Sequence, residues 1–255
     1  MEQLGILTYD TNHLKTEQVV LHLAGRYQLV IYGLPFTSRP SRPVYFQHRP
    51  NQSAAAHPRE LCRRYNWDYI PVQSDAEIDN RCDLYLITGA GILSPACLRG
   101  KKILNCHPGI IPAARGLDAF KWSVYHMTPL GITLHYIDEA VDAGKIVSII
   151  PTEVFPSDTL ETLARRHYEN EIHVLSHFEE HLHNPQNPFE GIPQGDATRR
   201  MKPAQEIELA HKFQVYKQAY CPSIEAQYVY KCPPPHGHFQ LIYINLPLDL
   251  RRAAA

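Results

Sequence analysis

The chain has 255 residues, 44% of them hydrophobic, and its 25 basic residues nearly balance its 26 acidic residues. A chain of this length can bury a substantial core, while a net charge of -1 excludes the broad positive field that drives non-specific binding to DNA or RNA. We therefore expect no nucleic-acid partner.

The N-terminal residues and the cysteines bear on the compartment. Residues 1–10 contain neither a basic leader nor the apolar core of a secretory signal, and the most apolar run, 84–93, is only about half a membrane span. The six cysteines include no CxxC pair, which favours reduced thiols over a disulfide framework or a structural zinc site. We expect a cytoplasmic protein without a metal ion and without membrane contact.

Strand-like runs alternate with helical segments through the first part of the chain. Apolar residues recur near helical spacing in 12–26, which predicts the first crossover helix. Such alternation is typical of parallel strands joined by crossover helices. The predicted fold class is therefore α/β, with an open, mostly parallel, Rossmann-like sheet. The predicted strands are 4–9, 28–33, 69–72, 83–88 and 102–105.

The segment 35–58 interrupts this alternation. It is rich in proline and contains Arg39, Arg42 and Arg49. One interpretation is a solvated loop; the other is a clamp for an anionic substrate, because guanidinium groups match phosphate oxygens.

Two longer strands, 131–137 and 145–154, are predicted on either side of an acidic loop, 138–144. A long helix follows, for which Asp158 and Glu161 have the spacing of a capping box. Its apolar face predicts that it docks across the sheet.

A stretch rich in Pro, Asn and Gly, 184–195, predicts a boundary. We expect a catalytic domain at 1–190 and a small C-terminal α+β extension at 191–255. The extension is predicted to contain a helix at 203–220 and a hairpin formed by 226–230 and 239–244. Pairing of hairpin edges predicts a homodimer.

Asn105 and His107 stand where the strand that begins at residue 102 ends. The carboxyl ends of parallel strands line the ligand crevice of an open α/β sheet. An amide and a protonated imidazole there can donate hydrogen bonds to an oxyanion, and a nearby carboxylate favours the charged form of a histidine. Asp142, in the acidic loop, can supply that carboxylate and accept a proton from an attacking amine. These residues predict acyl transfer.

The wider pattern resembles the formyltransferase family that uses 10-formyltetrahydrofolate. Three stretches carry the resemblance and cover roughly residues 80 to 150. They are Ile87-Thr-Gly-Ala-Gly-Ile-Leu-Ser94, Asn105-Cys-His-Pro-Gly-Ile-Ile-Pro112 with Arg115-Gly116, and Gly131 to Gly144.

The resemblance implies the family's fold, N10-formyltetrahydrofolate as formyl donor, and roles for individual residues. Asn105, His107 and Asp142 take the catalytic positions, which we expect on an exposed loop end, while Thr133 and His135 match positions that support the loop. The residues that fall where the family builds its pterin pocket are Gly89, Ala90, Ile92, Leu93, Ile137, Asp138 and Val141.

The acceptor is chosen by comparing branches of the family. The glycinamide ribonucleotide branch carries a Gly-Ser-Asn phosphate loop after the first strand, where this chain has Thr8-Tyr-Asp10-Thr-Asn12-His13, and the tRNA branch carries a larger C-terminal domain. The segment from Arg115 to Trp122 resembles the nucleotide-sugar branch. We therefore expect a nucleotide-linked amino sugar as substrate, with Tyr9, Arg115 and Trp122 as candidate contacts.

Other functions stay open at this stage. A hydrolase of the same family would release formate to water, another small amine could accept the formyl group, and a non-enzymatic metal-binding or interaction protein is a further alternative. The last rests on His173, His177 and His181, which share one helix face. A structural or solvated helix face is the simpler interpretation of these three residues.

Overall fold

A computed structural model describes residues 1–37, 43–138 and 144–221. A central sheet dominates this part of the chain. The strands of the described residues are β1 (Gln3–Tyr9), β2 (Gln28–Leu34), β3 (Asp68–Pro71), β4 (Tyr85–Ile87), β5 (Ile103–His107), β6 (Arg115–Gly116), β7 (Gly131–Tyr136), β8 (Ile146–Pro151) and β9 (Ala197–Thr198). Seven strands form the sheet in the order β3-β2-β1-β4-β5-β7-β8, and β6 pairs with β9 separately.

Helices connect and cover the strands. They are α1 (Leu14–Leu23), α2 (Pro58–Tyr65), α3 (Pro95–Leu98), α4 (Ala119–His126), α5 (Leu160–Ser176), α6 (Phe178–His183) and α7 (Pro203–Tyr220), with a short 3-10 turn at Asp75–Glu77. The strands β3, β2, β1, β4 and β5 are parallel, and β7 runs antiparallel to both β5 and β8. The predicted α/β fold with a mostly parallel sheet is confirmed.

The burial of β1 and β2 explains their near-continuous apolar sequences. Both faces of a parallel sheet are covered by helices, so its strands do not alternate between apolar and polar residues. Residues from Leu4 to Thr8 and from Leu29 to Leu34 are buried accordingly. On one face α1, α5 and α6 pack on the sheet, and α5 contacts β5 and β7, which confirms the predicted docking of the long helix.

The strand β5 is longer than the sequence predicts. It continues to His107 because β7 pairs with it, Asn105 opposite His135 and His107 opposite Thr133. The expectation of an exposed loop end is therefore wrong. Asn105 is half-buried, and His107 is only 4% exposed.

The long helix begins and ends differently from the prediction. Its N-cap is Thr159, which exchanges hydrogen bonds with Thr162, so the capping box expected at Asp158 and Glu161 is wrong. Asp158 instead pairs with Arg166, with 2.5 Å between its Oδ1 and Nη2 of Arg166. At His177 the backbone leaves helical geometry, and the segment is divided into α5 and α6.

Helix α7 occupies the predicted range and packs against α4. Between them Nζ of Lys121 lies 2.7 Å from Oε1 of Glu206, and both side chains are buried. The division of the chain at residue 190 stays a prediction, and the predicted hairpin lies outside the described residues.

The segment 43–57, which we call the strap, contacts α1, α5 and α7. Two buried carboxylates, Glu171 and Glu206, bind it. Glu171 binds Lys15 on α1 and Arg49 on the strap at 2.6 and 2.7 Å, and Glu206 accepts the backbone N–H of Tyr45 at 2.7 Å. Arg49 is thus committed to an internal ion pair, which supports neither the solvated loop nor the anion clamp for this residue. Arg39 and Arg42 lie outside the described residues.

The charges around Glu171 explain why it stays ionised. Burial alone would raise the pKa of its carboxyl, but the Arg49 guanidinium and the Lys15 ammonium lower that pKa to about 2. The strap is therefore anchored by a carboxylate that remains charged near neutrality.

The cysteines and the helices bear on the expected redox state of the thiols and on the expected absence of membrane contact. Of the described cysteines, Cys62, Cys82, Cys97 and Cys106 are free thiols. None of the helices in the described ranges combines the length and the apolar composition needed to cross a membrane.

Candidate active site

Asn105 and His107 share one face of the sheet because side chains alternate along β5. The residues between and before them, Cys106 and Leu104, point the other way into the apolar core under α5. The strand therefore presents an amide and an imidazole side by side, next to the end where the chain leaves the sheet.

His135 fixes the orientation of the Asn105 amide. Nδ1 of His135 lies 3.2 Å from the carbonyl oxygen of Tyr136, which can only accept, so Nδ1 carries the proton. Nε2 of His135 is then an acceptor for Nδ2 of Asn105, 3.2 Å away. The NH₂ group of Asn105 is thereby assigned to the side of the amide that faces β7.

His107 is fixed by the loop that follows β5. Its Nε2 donates a hydrogen bond to the carbonyl oxygen of Ala114 at 2.8 Å. Gly109 permits this contact, because a Cβ there would lie 2.9 Å from Nε2 of His107 and 2.8 Å from the Ala114 oxygen. The glycine of the Asn-x-His-Pro-Gly sequence thus leaves room for the imidazole.

Two residues from other elements hold that loop in place. Thr133 on β7 donates to the carbonyl of Gly109 at 2.7 Å and accepts the N–H of Ile111 at 3.1 Å. His167 on α5 donates from Nε2 to the carbonyl of Pro108 at 3.2 Å, while its Nδ1 lies 2.8 Å from the Thr152 hydroxyl. Burial lowers the pKa of His167 to about 4, so the imidazole is neutral near neutral pH.

Three of the residues expected to form the pterin pocket lie on the same face of the sheet as Asn105. Ala90, Leu93 and Ile137 pack against one apolar cluster that also contains Ile103 of β5. Ile92 is 83% exposed, which leaves an apolar side chain facing solvent beside the strand ends. The loop 89–93 and the end of β7 therefore bring apolar side chains together near β5.

The acidic loop is only partly within the described residues. Asp138 is exposed, and Gly144 stands where a Cβ would overlap the carbonyl oxygen of Tyr136, so the two ends of the loop lie close together. Asp142 and Val141 lie outside the described residues. Their predicted roles stay predictions.

Comparison with known proteins agrees with this geometry. The model of the formyl transferase family matches residues 79–178, which include β4, β5, β7, β8 and the whole of α5. Residues 79–178 are thus similar in sequence to the formyl transferase family. The family resemblance predicted from the sequence is thus confirmed for this region.

Individual relatives cover different parts of the chain. Phosphoribosylglycinamide formyltransferase of Bacillus subtilis is 40% identical over 79 residues, which are 31% of this chain and 38% of that protein. The chain spans less than half the length of the curated relatives that it matches. A high identity over the central motif therefore describes this region and not the whole protein.

Solved structures show the same fold over a larger part of the chain. A sugar N-formyltransferase from a Shewanella species superimposes with a TM-score of 0.55 and 15% identity, covering 86% of this chain and 89% of that one. Glycinamide ribonucleotide transformylase 1 of Symbiobacterium toebii gives 0.50 and 22% identity, covering 71% and 86%. These similarities establish the formyltransferase fold.

The three candidate acceptor contacts lie in different surroundings within the formyl transferase fold. Tyr9 ends β1, and its ring meets His13 and Phe36 edge-on, with centroids 5.7 and 5.2 Å apart. Arg115 donates to the carbonyl of Gly195, and the Trp122 indole donates to the carbonyl of Arg199 at 2.7 Å. Of the three, only Tyr9 lies at the end of a strand of the seven-stranded sheet, and all three roles stay predictions.

Sequence reasoning missed several polar residues near the end of β1. Nε2 of His57 lies 3.3 Å from Oδ1 of Asp10, and the same oxygen accepts a hydrogen bond from the Tyr69 hydroxyl. Gln52 on the strap contacts the first turn of α1. Because the members of this group are dozens of residues apart, no local pattern marks them.

The histidines on the long helix do not form a recognisable metal centre. Rings of His173 and His177 approach with centroids 4.2 Å apart, and Nδ1 of His177 donates to the carbonyl of His173. Among the residues that the structure describes, no group of three His, Cys, Asp or Glu side chains is arranged to hold a metal ion.

Proposed function

We propose that this protein transfers the formyl group of N10-formyltetrahydrofolate to the amino group of a nucleotide-linked amino sugar. The observation that carries the transfer reaction is the pair of oriented polar side chains on β5, the Asn105 amide and the His107 imidazole. The choice of acceptor rests on the residues that follow the carboxyl end of β1, at the N-terminus of α1.

The donors fit an acyl-transfer transition state. When an amine attacks the formyl carbonyl, negative charge develops on its oxygen, and a fixed donor near that oxygen is worth about a hundred- to thousandfold in rate. His135 holds the Asn105 amide, and the loop 108–114 holds the His107 ring, so neither side chain has to reorganise during the reaction. We assign Asn105 to the oxyanion and His107 to the same oxygen or to proton transfer.

The folate site rests on the apolar cluster beside β5. N10-formyltetrahydrofolate supplies the activated formyl group when it is bound. Ala90, Leu93 and Ile137 offer apolar contacts to a flat ring, and the backbone of the loop 89–93 offers hydrogen bonds to its edge. Ile92 would lose exposed apolar surface on binding, which favours occupancy of this face.

The acceptor is argued from the N-terminus of α1. A helix that follows a strand of an α/β sheet commonly binds phosphate with its first backbone N–H groups. Here the N–H of Leu14 donates to the Gln52 carbonyl at 2.8 Å, and the N–H of Lys15 donates to Oε1 of Gln52 at 3.1 Å. Asp10 adds a carboxylate next to this turn. Occupied amides and a nearby negative charge both disfavour a phosphate there.

A second acceptor is favoured by the sequence relatives. The Bacillus subtilis relative is named a phosphoribosylglycinamide formyltransferase, so a phosphoribosyl amine is the main alternative. Its phosphate would need another binding place, since two amides of α1 are used by Gln52. Hydrolysis of the folate to formate would use the same donors without any acceptor.

One assay distinguishes the three activities. Purified protein is incubated with N10-formyltetrahydrofolate and, separately, with nucleotide-linked 3-amino or 4-amino sugars, with glycinamide ribonucleotide, or with no acceptor. We expect a formylated amino sugar, detected by mass spectrometry, together with stoichiometric tetrahydrofolate. Formylation of glycinamide ribonucleotide alone, or release of formate without an acceptor, would overturn the proposal.

A further inference from the structure

We propose that a polar cavity at the end of β1 binds a vicinal diol of the acceptor. This inference rests on the proposed function for the identity of the acceptor, but not for the existence of the site. The cavity has a volume of about 420 Å³, and its lining residues are Asp10, Asn12, His57, Arg59 and Glu60.

The hydrogen bonds around Asp10 determine which atoms can meet a ligand. Nδ1 of His57 accepts the N–H of Arg59 at 3.2 Å, so the proton of the neutral ring is on Nε2, which points to Oδ1 of Asp10 at 3.3 Å. The Tyr69 hydroxyl donates to the same oxygen. Within the described residues, both neighbours of the Asp10 carboxylate meet Oδ1, and Oδ2 is left to accept from a bound hydroxyl group.

The Asp10 carboxylate is held in one orientation by two elements. His57 is the N-cap of α2, and Tyr69 lies on β3, so a helix and a strand fix the same oxygen. Burial and the hydrogen bond to Asp10 raise the pKa of Tyr69, which keeps its hydroxyl protonated as a donor. A carboxylate prepared in this way binds without first ordering its own side chain.

The lining excludes several ligand classes. Every described residue that lines the cavity carries a polar side chain, so a nucleobase or a pterin would meet no aliphatic side chain there. Two carboxylates against one guanidinium leave a negative balance, which disfavours a phosphate. A ring with adjacent hydroxyl groups fits, because Asp10 and Glu60 can accept and Arg59 can donate.

The position of the cavity connects it to the catalytic residues. Asp10 directly follows β1, which is separated from β5 by one strand, β4. With about 4.8 Å between neighbouring strands, β1 and β5 are roughly 10 Å apart, and Asp10 lies three residues beyond Leu7, which is level with Asn105, so roughly 14 Å separates Asp10 from Asn105. A nucleotide-linked sugar with its amine at Asn105 is long enough to place a second ring over Asp10. That ring is either a hexose or the ribose of a nucleotide.

Binding measurements without folate separate this site from the transfer reaction. Isothermal titration calorimetry is performed with two amine-free probes, UDP-glucose and dTDP-glucose, on the wild type and on Asp10→Asn. We expect the substitution to weaken binding about tenfold to a hundredfold, because a charge-assisted hydrogen bond is lost. Asp83→Asn is the matched control, since Asp83 is exposed and precedes β4 at the opposite edge of the sheet.

Each outcome has one meaning. Weaker binding of both probes supports a hexose diol, and weaker binding of UDP-glucose alone supports the ribose diol, which dTDP lacks. Equal affinities in wild type and Asp10→Asn, or no binding of either probe to the wild type, would overturn the site. Asp10-dependent binding without formylation of any acceptor would leave the site in place and remove the proposed function.

Discussion

The ends of β5 and β1 lie at the same edge of the sheet, yet they are built in different ways. Beyond Asn105 and His107, the end of β5 is formed by its own loop and by the adjacent strand β7. The end of β1 is completed by the strap, whose Gln52 occupies the first amides of α1. One end is formed by neighbours in the sheet, and the other by a segment brought from elsewhere in the sequence.

We expect this difference to separate chemistry from selectivity. In the proposed function, Asn105 and His107 at the end of β5 act on the formyl carbonyl, whichever amine attacks it. At the end of β1, Gln52 occupies the first amides of α1, and a carboxylate, Asp10, is held by His57 and Tyr69. We expect changes at β5 to affect the rate for every acceptor and changes at β1 to affect the choice of acceptor.

The strap should depend strongly on Glu171. In Glu171→Gln, Lys15 and Arg49 lose their shared carboxylate in the interior, and we expect the free energy of unfolding to fall by about 3–5 kcal/mol. Urea unfolding measures the change. Glu169→Gln removes an exposed pair with Arg165 on the same helix and should leave stability nearly unchanged. Equal losses in the two variants would show that the buried pair does not anchor the strap.

The chemistry at β5 should depend on Asn105. Asn105→Ala should lower the rate of formyl transfer about a hundred- to thousandfold, because one oxyanion donor is removed. Asn105 is a better choice than His107 for this test, because His107 is almost fully buried and its truncation would leave a cavity that also lowers stability. Turnover is measured with saturating substrates, and circular dichroism checks the fold. Near-normal turnover, similar to that of the exposed control Asn184→Ala, would contradict the assignment.

The loop behind His107 should make stability depend on pH. Burial lowers the pKa of His167 from 6.5 to about 4, so its neutral form favours folding. This contribution is complete above pH 6.5 and is lost as the pH falls towards 4, with an upper value of roughly 3 kcal/mol. Urea unfolding across this range should show a smaller fall for His167→Gln than for the wild type.

Two features keep that pH experiment specific. His13, whose pKa burial also lowers to about 4, remains in both proteins, so part of the slope persists. Glu171 contributes only at lower pH, as its carboxylate protonates between 4.5 and about 2. The exposed control His126→Gln should retain the wild-type slope. An unchanged slope in His167→Gln would mean that this imidazole is not held neutral.

The smallest expected effect is at the first turn of α1. Gln52→Ala removes the oxygen that accepts the N–H of Lys15, and we expect a loss of about 1 kcal/mol, as for other helix N-caps. Amide hydrogen exchange at Lys15 should become faster, whereas exchange in the exposed control Gln47→Ala should not change. Unaltered exchange in Gln52→Ala would mean that α1 is not closed by the strap.

The sequence predicted those parts of the molecule that depend on short-range patterns. Strand-like runs of four to six residues marked β1, β2 and β5, and helical periodicity marked α1 and α5. The Asn-x-His-Pro-Gly sequence predicted the candidate site because its residues lie within one strand and one loop. The prediction failed at the end of β5 and at the start of α5, where pairing with β7 and the hydroxyl of Thr159 set the boundaries.

What the sequence by itself determined is the α/β sheet and the pair of donors on β5, because strand burial and the spacing of Asn105 and His107 are local properties. The tertiary structure alone decided how the end of β1 is used. Gln52, His57 and Tyr69 reach Leu14, Lys15 and Asp10 only after the strap, α2 and β3 have packed against β1 and β2. Contacts between residues so far apart in the chain follow from packing, and no spacing in the sequence encodes them.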